Sequence, residues 1–183
     1  MSTCRGEDQL YLLDANTLIE AKNQYFKFQR VPEFWAWLVY QGTLSNIKLP
    51  VEVYDELADK TTKQEDTDEL TSWINDADVK EALLLEEEAE PDRVARVTYG
   101  GYTPNPTDAE IEKMGADPIL VSYALSDVEN RTIVTVEKSK PSRQGANRHI
   151  PDVCNSLNIR CINTFRLLDE LDFSTNWESK ISR

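Results

Sequence analysis

Two short apolar runs, each ending in an acid, constrain the fold of this chain more than any other feature. Leu10-Tyr11-Leu12-Leu13 runs into Asp14, and the β-branched run Arg131-Thr132-Ile133-Val134-Thr135-Val136 runs into Glu137. The first shows no polar alternation at all, so both read as strands buried on two faces, the pattern of a parallel sheet covered by helices. Asn46-Ile47-Lys48-Leu49-Pro50 and Asn158-Ile159-Arg160-Cys161-Ile162 supply two shorter strands. Helical segments lie between them. Asn16 or Thr17 can cap one through Glu20 and Ala21, and Pro32 opens another that ends near Gly42. Further helices are expected over 51–58, around 67–75 and 79–88, from the capping box Thr107-Asp108-Ala109-Glu110, and from Asp117-Pro118 through Leu125. Pro151-Asp152 starts one more, and Asn163 or Thr164 caps the last, over 165–171. The stretch 90–106 holds Pro91, Gly100, Gly101, Pro104 and Pro106 and reads as a loop or hairpin insertion. Strands alternating with helices predict an α/β fold of three layers, α/β/α, around a mostly parallel sheet.

The 183 residues suit one domain, and no repeat, low-complexity tract or linker divides 1–183. Its 33 acidic against 20 basic side chains leave a net charge of −13. Such a protein does not draw polyanions from a distance. One segment runs the other way: 138–149, KSKPSRQGANRH, carries Lys138, Lys140, Arg143 and Arg148 and no acid. Any nucleic-acid role must therefore use this patch, bound cations, or both. The acidic stretches 65–69 and 86–90 read as solvated helix faces. No apolar stretch approaches the roughly 20 residues that cross a bilayer, so no membrane role is expected. The N-terminal MSTCRGEDQLYLLD has polar residues where an export signal needs an apolar core. Cys4, Cys154 and Cys161 form no CxxC pair and, with the sole His149, match no zinc spacing; reduced thiols in a cytoplasmic protein are expected.

In open α/β sheets ligands bind beyond the carboxyl ends of the strands, where the strand order switches direction. Asp14 and Glu137 stand at such ends, and Glu56 and Asp117 sit on or at the start of helices expected to pack beside them. Carboxylates converging on one cleft repel, and hard divalent cations relieve that repulsion. Each acid also has a plain structural reading. Asp14 and Asp117 can cap helices, Glu56 can be a solvated surface residue, and Glu137 can pair with Lys138. Phe34, Trp35 and Trp37 can stack on bases, but at that density on one helix they fit a core or a protein interface better.

The order of these acids resembles the PIN-domain ribonuclease family, which includes VapC-type toxins. YLLDANTLI (11–19), PVEVYDELA (50–58), GADPILVSYAL (115–125) and IVTVEK (133–138) look like its four acid-bearing motifs. Phe34-Trp35-Ala36-Trp37-Leu38 and Ile150-Pro151-Asp152-Val153-Cys154 are similar to segments of a PIN-like branch of uncharacterised bacterial proteins. The resemblance spans about 10–171. It implies a PIN-like fold and a Mg²⁺- or Mn²⁺-dependent endoribonuclease that hydrolyses RNA phosphodiester bonds as the toxin of a toxin–antitoxin pair. It further implies a homodimer and an antitoxin partner. Asp14, Glu56, Asp117 and Glu137 would be the catalytic and metal-binding acids, with Asp152 a further ligand; the fourth motif ends in Glu137 where the family usually has Asp. Glu56 is chosen over Glu52 and Asp55 by the Glu-Leu match. Asn16 and Thr17 would hold a ligand or the scissile phosphate, and Lys138, Lys140, Arg143 and Arg148 the flanking phosphates. The alternative is a catalytically inactive PIN-like module that binds nucleic acid or protein. A haloacid-dehalogenase-type phosphatase needs a second acid where Asn16 stands, and a receiver-like domain needs an acidic pair ahead of Asp14.

Overall fold

The computed structural model describes residues 9–59 and 68–181. Cys4, acidic residues 65–66 and the expected helix start at Thr67 lie outside them. Four parallel strands form one sheet: β1 (Leu10–Leu13), β2 (Ile47–Lys48), β3 (Arg131–Val134) and β4 (Arg160–Ile162). They lie in the order β2-β1-β3-β4, with Leu12 opposite both Lys48 and Ile133, and Ile133 opposite Cys161. From β1 the chain builds outward to β2, then returns to place β3 on the other side. The carboxyl ends of β1 and β3 therefore flank the point where the strand order reverses. Leu12, Leu13, Ile133 and Val134 are fully buried, as central strands covered on both faces must be. The β2 edge is only two residues long, and Leu49 continues it by pairing with 83–85. A short, covered edge of this kind offers no template for a second chain.

Helices clothe the sheet in the expected three-layer α/β/α arrangement. They are α1 (Ala15–Glu20), α2 (Pro32–Thr43), α3 (Val51–Asp59), α4 (Glu69–Ile74), α5 (Ala77–Leu83), α6 (Pro91–Arg96), α7 (Asp108–Met114), α8 (Asp117–Leu125), α9 (Ile150–Ser156), α10 (Thr164–Glu170) and α11 (Glu178–Ile181). The buried apolar side chains form one continuous cluster. Phe34, Trp35 and Trp37 belong to it, each 3% exposed or less, so none is free to stack on a base. Phe34 stacks on Phe26, and Trp35 stacks on Phe28 and donates its indole N–H to the Phe26 carbonyl at 2.7 Å.

Several local expectations are corrected. Within the expected insertion loop of 90–106, residues 91–102 are helical, because Pro91 occupies the first turn of α6, where its missing N–H costs nothing. That helix continues as a wider-wound π segment over Val97–Tyr102. Gly101 permits close approach there: a Cβ on it would stand 2.8 Å from Val153 Cγ1. A second π segment, Ala21–Tyr25, extends α1. The cap of α1 is neither Asn16 nor Thr17 but Asp14, whose carboxylate accepts the Asn16 N–H at 3.5 Å. Of the two residues proposed to cap α10, Asn163 does so, accepting from Arg166 N at 2.9 Å. The strand of 131–136 stops at Val134, since Thr135 and Val136 already turn toward Glu137. The capping box at Thr107 and Glu110 forms as expected.

Candidate functional site

Asp14 is 5% exposed at the carboxyl end of β1. Its backbone N–H donates to the Val134 carbonyl at 3.0 Å, which fixes it against the neighbouring strand. Its Oδ2 accepts a 2.8 Å hydrogen bond from the buried Thr135 hydroxyl. The same hydroxyl oxygen accepts the Glu137 N–H at 3.2 Å, so Thr135 ties the two strand-end acids together. Glu137 Oε2 in turn accepts the Ile150 N–H at 2.7 Å, which sets the first turn of α9 beside the strand end. The Thr17 hydroxyl donates to the Val134 carbonyl at 3.0 Å. Its proton is thus committed to holding α1 on β3 rather than to a ligand, whereas Asn16 is exposed.

Asp117 occupies the first position of α8 but makes no capping bond, so the cap reading does not apply to it. Its carboxyl is pushed up to about 7, first by burial and then by the negative charges of Asp14, Glu137 and Glu56. Asp14 is raised as well. Burial is the main cause, the bonds from Thr135 and Asn16 oppose it, and Glu137 and Glu56 add to it. The four acids chosen from the sequence therefore act on one another across four elements of the fold. Between the candidates on α3, Glu56 is the one whose charge reaches Asp14 and Asp117, while Glu52 faces Tyr123. Among the described residues, no three acids, cysteines or histidines are already drawn to metal-binding separations. The donors are nonetheless all hard carboxylate oxygens, which fits Mg²⁺ or Mn²⁺, and Mg²⁺ does not demand an all-protein cage.

Asp152 stands apart from this group. Its oxygens accept the Ser139 hydroxyl at 2.5 Å and the Lys140 N–H at 2.7 Å, pinning the basic loop to α9. Burial pushes its carboxyl up, but those two bonds and the nearby His149 and Arg148 hold it below the ordinary value. Arg148 is likewise drawn inward. Its guanidinium donates to the Gly101 carbonyl and, at 2.8 Å, to the Asp152 carbonyl, so it braces the π segment against α9. Lys138, Lys140 and Arg143 are exposed. Cys154 is buried and Cys161 half-buried, with no disulfide between them.

Beside Thr135 and Glu137 opens a cleft of about 650 Å³, lined also by Glu20, Lys138 and Arg166 and by Tyr25 and Phe165. The two aromatics are about half exposed and meet edge to face, with ring centroids 5.1 Å apart. Asp14, Glu56 and Asp117 do not line this cleft.

Sequence reasoning missed two groups. Thr135 lies in the strand run and the IVTVEK motif with no role of its own, although a hydroxyl two residues before the acid Glu137 is a recognisable positioning signal. Tyr102 is 6% exposed, and its hydroxyl feels the charges of Asp117 and Glu137. It fell inside the stretch read as a loop, and no local signal marked it. No helix among the described residues is long and apolar enough to cross a membrane. No curated protein and no solved structure matches the chain. Residues 11–175 match the family described as a domain of unknown function, DUF4411, and the chain belongs to that family.

Proposed function

We propose that the protein is a Mg²⁺- or Mn²⁺-dependent endoribonuclease of the PIN type. The observation that carries this reading is the placement of the acids at the carboxyl end of the sheet: Asp14 is buried there and joined through the Thr135 hydroxyl to Glu137, and the charges of Asp14, Glu137 and Glu56 all act on Asp117. A folded protein retains such a concentration of like charge at a stability cost, and a divalent cation removes that cost. Asp14, Asp117, Glu137 and Glu56 would hold the cation, with Thr135 fixing the orientation of Asp14. A cation there supplies electrostatic stabilisation of the charge that develops on the phosphate, together with acidification of the attacking water. The residues themselves do the rest. Burial of Asp14 keeps bulk solvent from its carboxylate, Asp117 is half-buried, and the exposed Lys138, Lys140 and Arg143 offer charge to flanking phosphates. The Tyr25–Phe165 pair gives the neighbouring cleft a stacking surface for unpaired bases. The roles of toxin, homodimer and partner of an antitoxin rest on the family resemblance.

The experiment is cleavage of single-stranded RNA with Mg²⁺ or Mn²⁺, abolished by EDTA, run beside thermal melts of Asp14→Asn and Asp117→Asn. Both variants should lose cleavage and most of the metal-induced rise in Tm. Asp117→Asn should be as stable as the parent, or more so, without metal. Cleavage undiminished in chelator overturns the metal mechanism. A parent with neither cleavage nor a metal response leaves the binding-module alternative.

A further inference from the structure

We propose that the Tyr102 hydroxyl is a substrate-binding group of the acidic site, donating a hydrogen bond to a non-bridging phosphate oxygen; this rests on the nuclease reading above. Tyr102 is 6% exposed, and its hydroxyl has no hydrogen-bond partner among the described residues. Buried tyrosines normally find one, and phenylalanine would fill the same space without stranding a polar atom. The ring is held from two sides. Tyr102 ends the π segment Val97–Tyr102, which packs against both α8 and α9. α8 begins with Asp117, and the first amide of α9 is bonded to Glu137. Gly101 lets the segment press against Val153, and Arg148 clamps the Gly101 carbonyl to the start of α9. The hydroxyl consequently lies where the charges of Asp117 and Glu137 act on it.

The chemistry of the surroundings selects the ligand. Burial, reinforced by Asp117, Cys154 and Glu137, keeps the phenol protonated, so it is a neutral donor at any physiological pH. A neutral donor adds a hydrogen bond to an anionic oxygen without competing with the carboxylates for a cation. π-helical segments recur at functional sites, and this one ends on the unpartnered group.

Tyr102→Phe removes one oxygen and no carbon. Thermal melts without metal and with Mn²⁺ alone form the first arm. The variant is expected to match or exceed the parent's Tm, with the same Mn²⁺-induced rise, because the acids hold the cation. The second arm is binding of a single-stranded oligoribonucleotide in Ca²⁺, expected to weaken about tenfold, as for one hydrogen bond to a charged acceptor. A variant that binds the oligonucleotide as tightly as the parent overturns the role of Tyr102 and leaves the acidic site standing. A metal-free Tm below the parent's also overturns it, since the hydroxyl then has an internal partner. A parent that binds no oligonucleotide overturns the nuclease reading and Tyr102 with it.

Discussion

Asp117 shows how one residue can carry both a stability cost and a function. Its folded-state value of about 7 lies above the ordinary 3.8, so the folded protein binds a proton that the unfolded chain releases. This group's penalty is absent below pH 3.8, grows as pH rises toward about 7 and is complete above it. Metal-free stability should therefore fall across that window, by up to about 1.4 kcal/mol per pH unit for each such group. Asp117→Asn should flatten the slope. Chemical denaturation at a series of pH values in EDTA measures it, and equal slopes in parent and variant would remove Asp117 from the acid group. Metal affinity has the opposite dependence. A ligand must lose its proton to bind a cation, so affinity should rise with pH through about 7. The sequence offers two readings of the same residue, a helix cap before Pro118 and, by the family resemblance, a metal-binding acid. Whether it capped a helix or faced other acids depended on groups more than 60 residues away in the chain, such as Glu56.

At the scale of elements, the fold depends on a few close approaches. A Cβ on Gly42 of α2 would stand 2.7 Å from the Ala82 carbonyl oxygen of α5. Backbone cannot swing aside as a side chain can, so Gly42→Ala should destabilise by roughly 1–3 kcal/mol. For a chain of this size that is a drop of about 2–4 °C in Tm per kcal/mol, read by thermal melting. Helix α10 is fastened differently. Glu170 accepts from the Tyr11 hydroxyl at 2.7 Å and from both Arg160 and Arg166. Arg160 foremost holds its carboxyl down to about 2 against the push of burial, with help from Tyr11 and Arg166. Since that value is depressed below the ordinary 4.5, this stabilisation is present above 4.5 and lost as pH falls through about 2. Glu170→Gln should cost about 1 kcal/mol near neutral pH, after solvent screening, and nothing below the lower limit. A cost that persists unchanged in acid would point to packing instead. Local sequence signals located most helices because caps and prolines act within one turn. They failed over 91–102, where the packing of Gly101 against Val153, not local propensity, makes two adjacent glycines compatible with a helix.

For the whole molecule, the balance of charge sets how a polyanion can approach. With a net charge of −13, attraction must be local, and the basic segment 138–149 is the place for it. The structure divides that segment by role, because Lys140 and Arg143 are exposed whereas Arg148 is bonded to two backbone carbonyls. Lys140→Ala with Arg143→Ala should flatten the salt dependence of RNA binding by about one unit of slope per lost phosphate contact. Their Tm should hardly change. Arg148→Ala should instead lower Tm by loosening the π segment from α9, and binding titrations across salt concentrations with parallel melts separate the two effects. An unchanged slope in the double variant would assign the loop to solubility. The sequence by itself determined the layered α/β architecture, the strand-end position of Asp14 and the capping box at Thr107, because periodicity and turn chemistry act over a few residues. Only the tertiary structure decided that the charge of Glu56 acts on Asp14 and Asp117 while Glu52 meets Tyr123, that Asp152 and Arg148 brace the basic loop, and that the Tyr102 hydroxyl feels the charges of Asp117 and Glu137. Those outcomes depend on which distant elements the sheet order brings together, and burial and charge act through space, not along the chain.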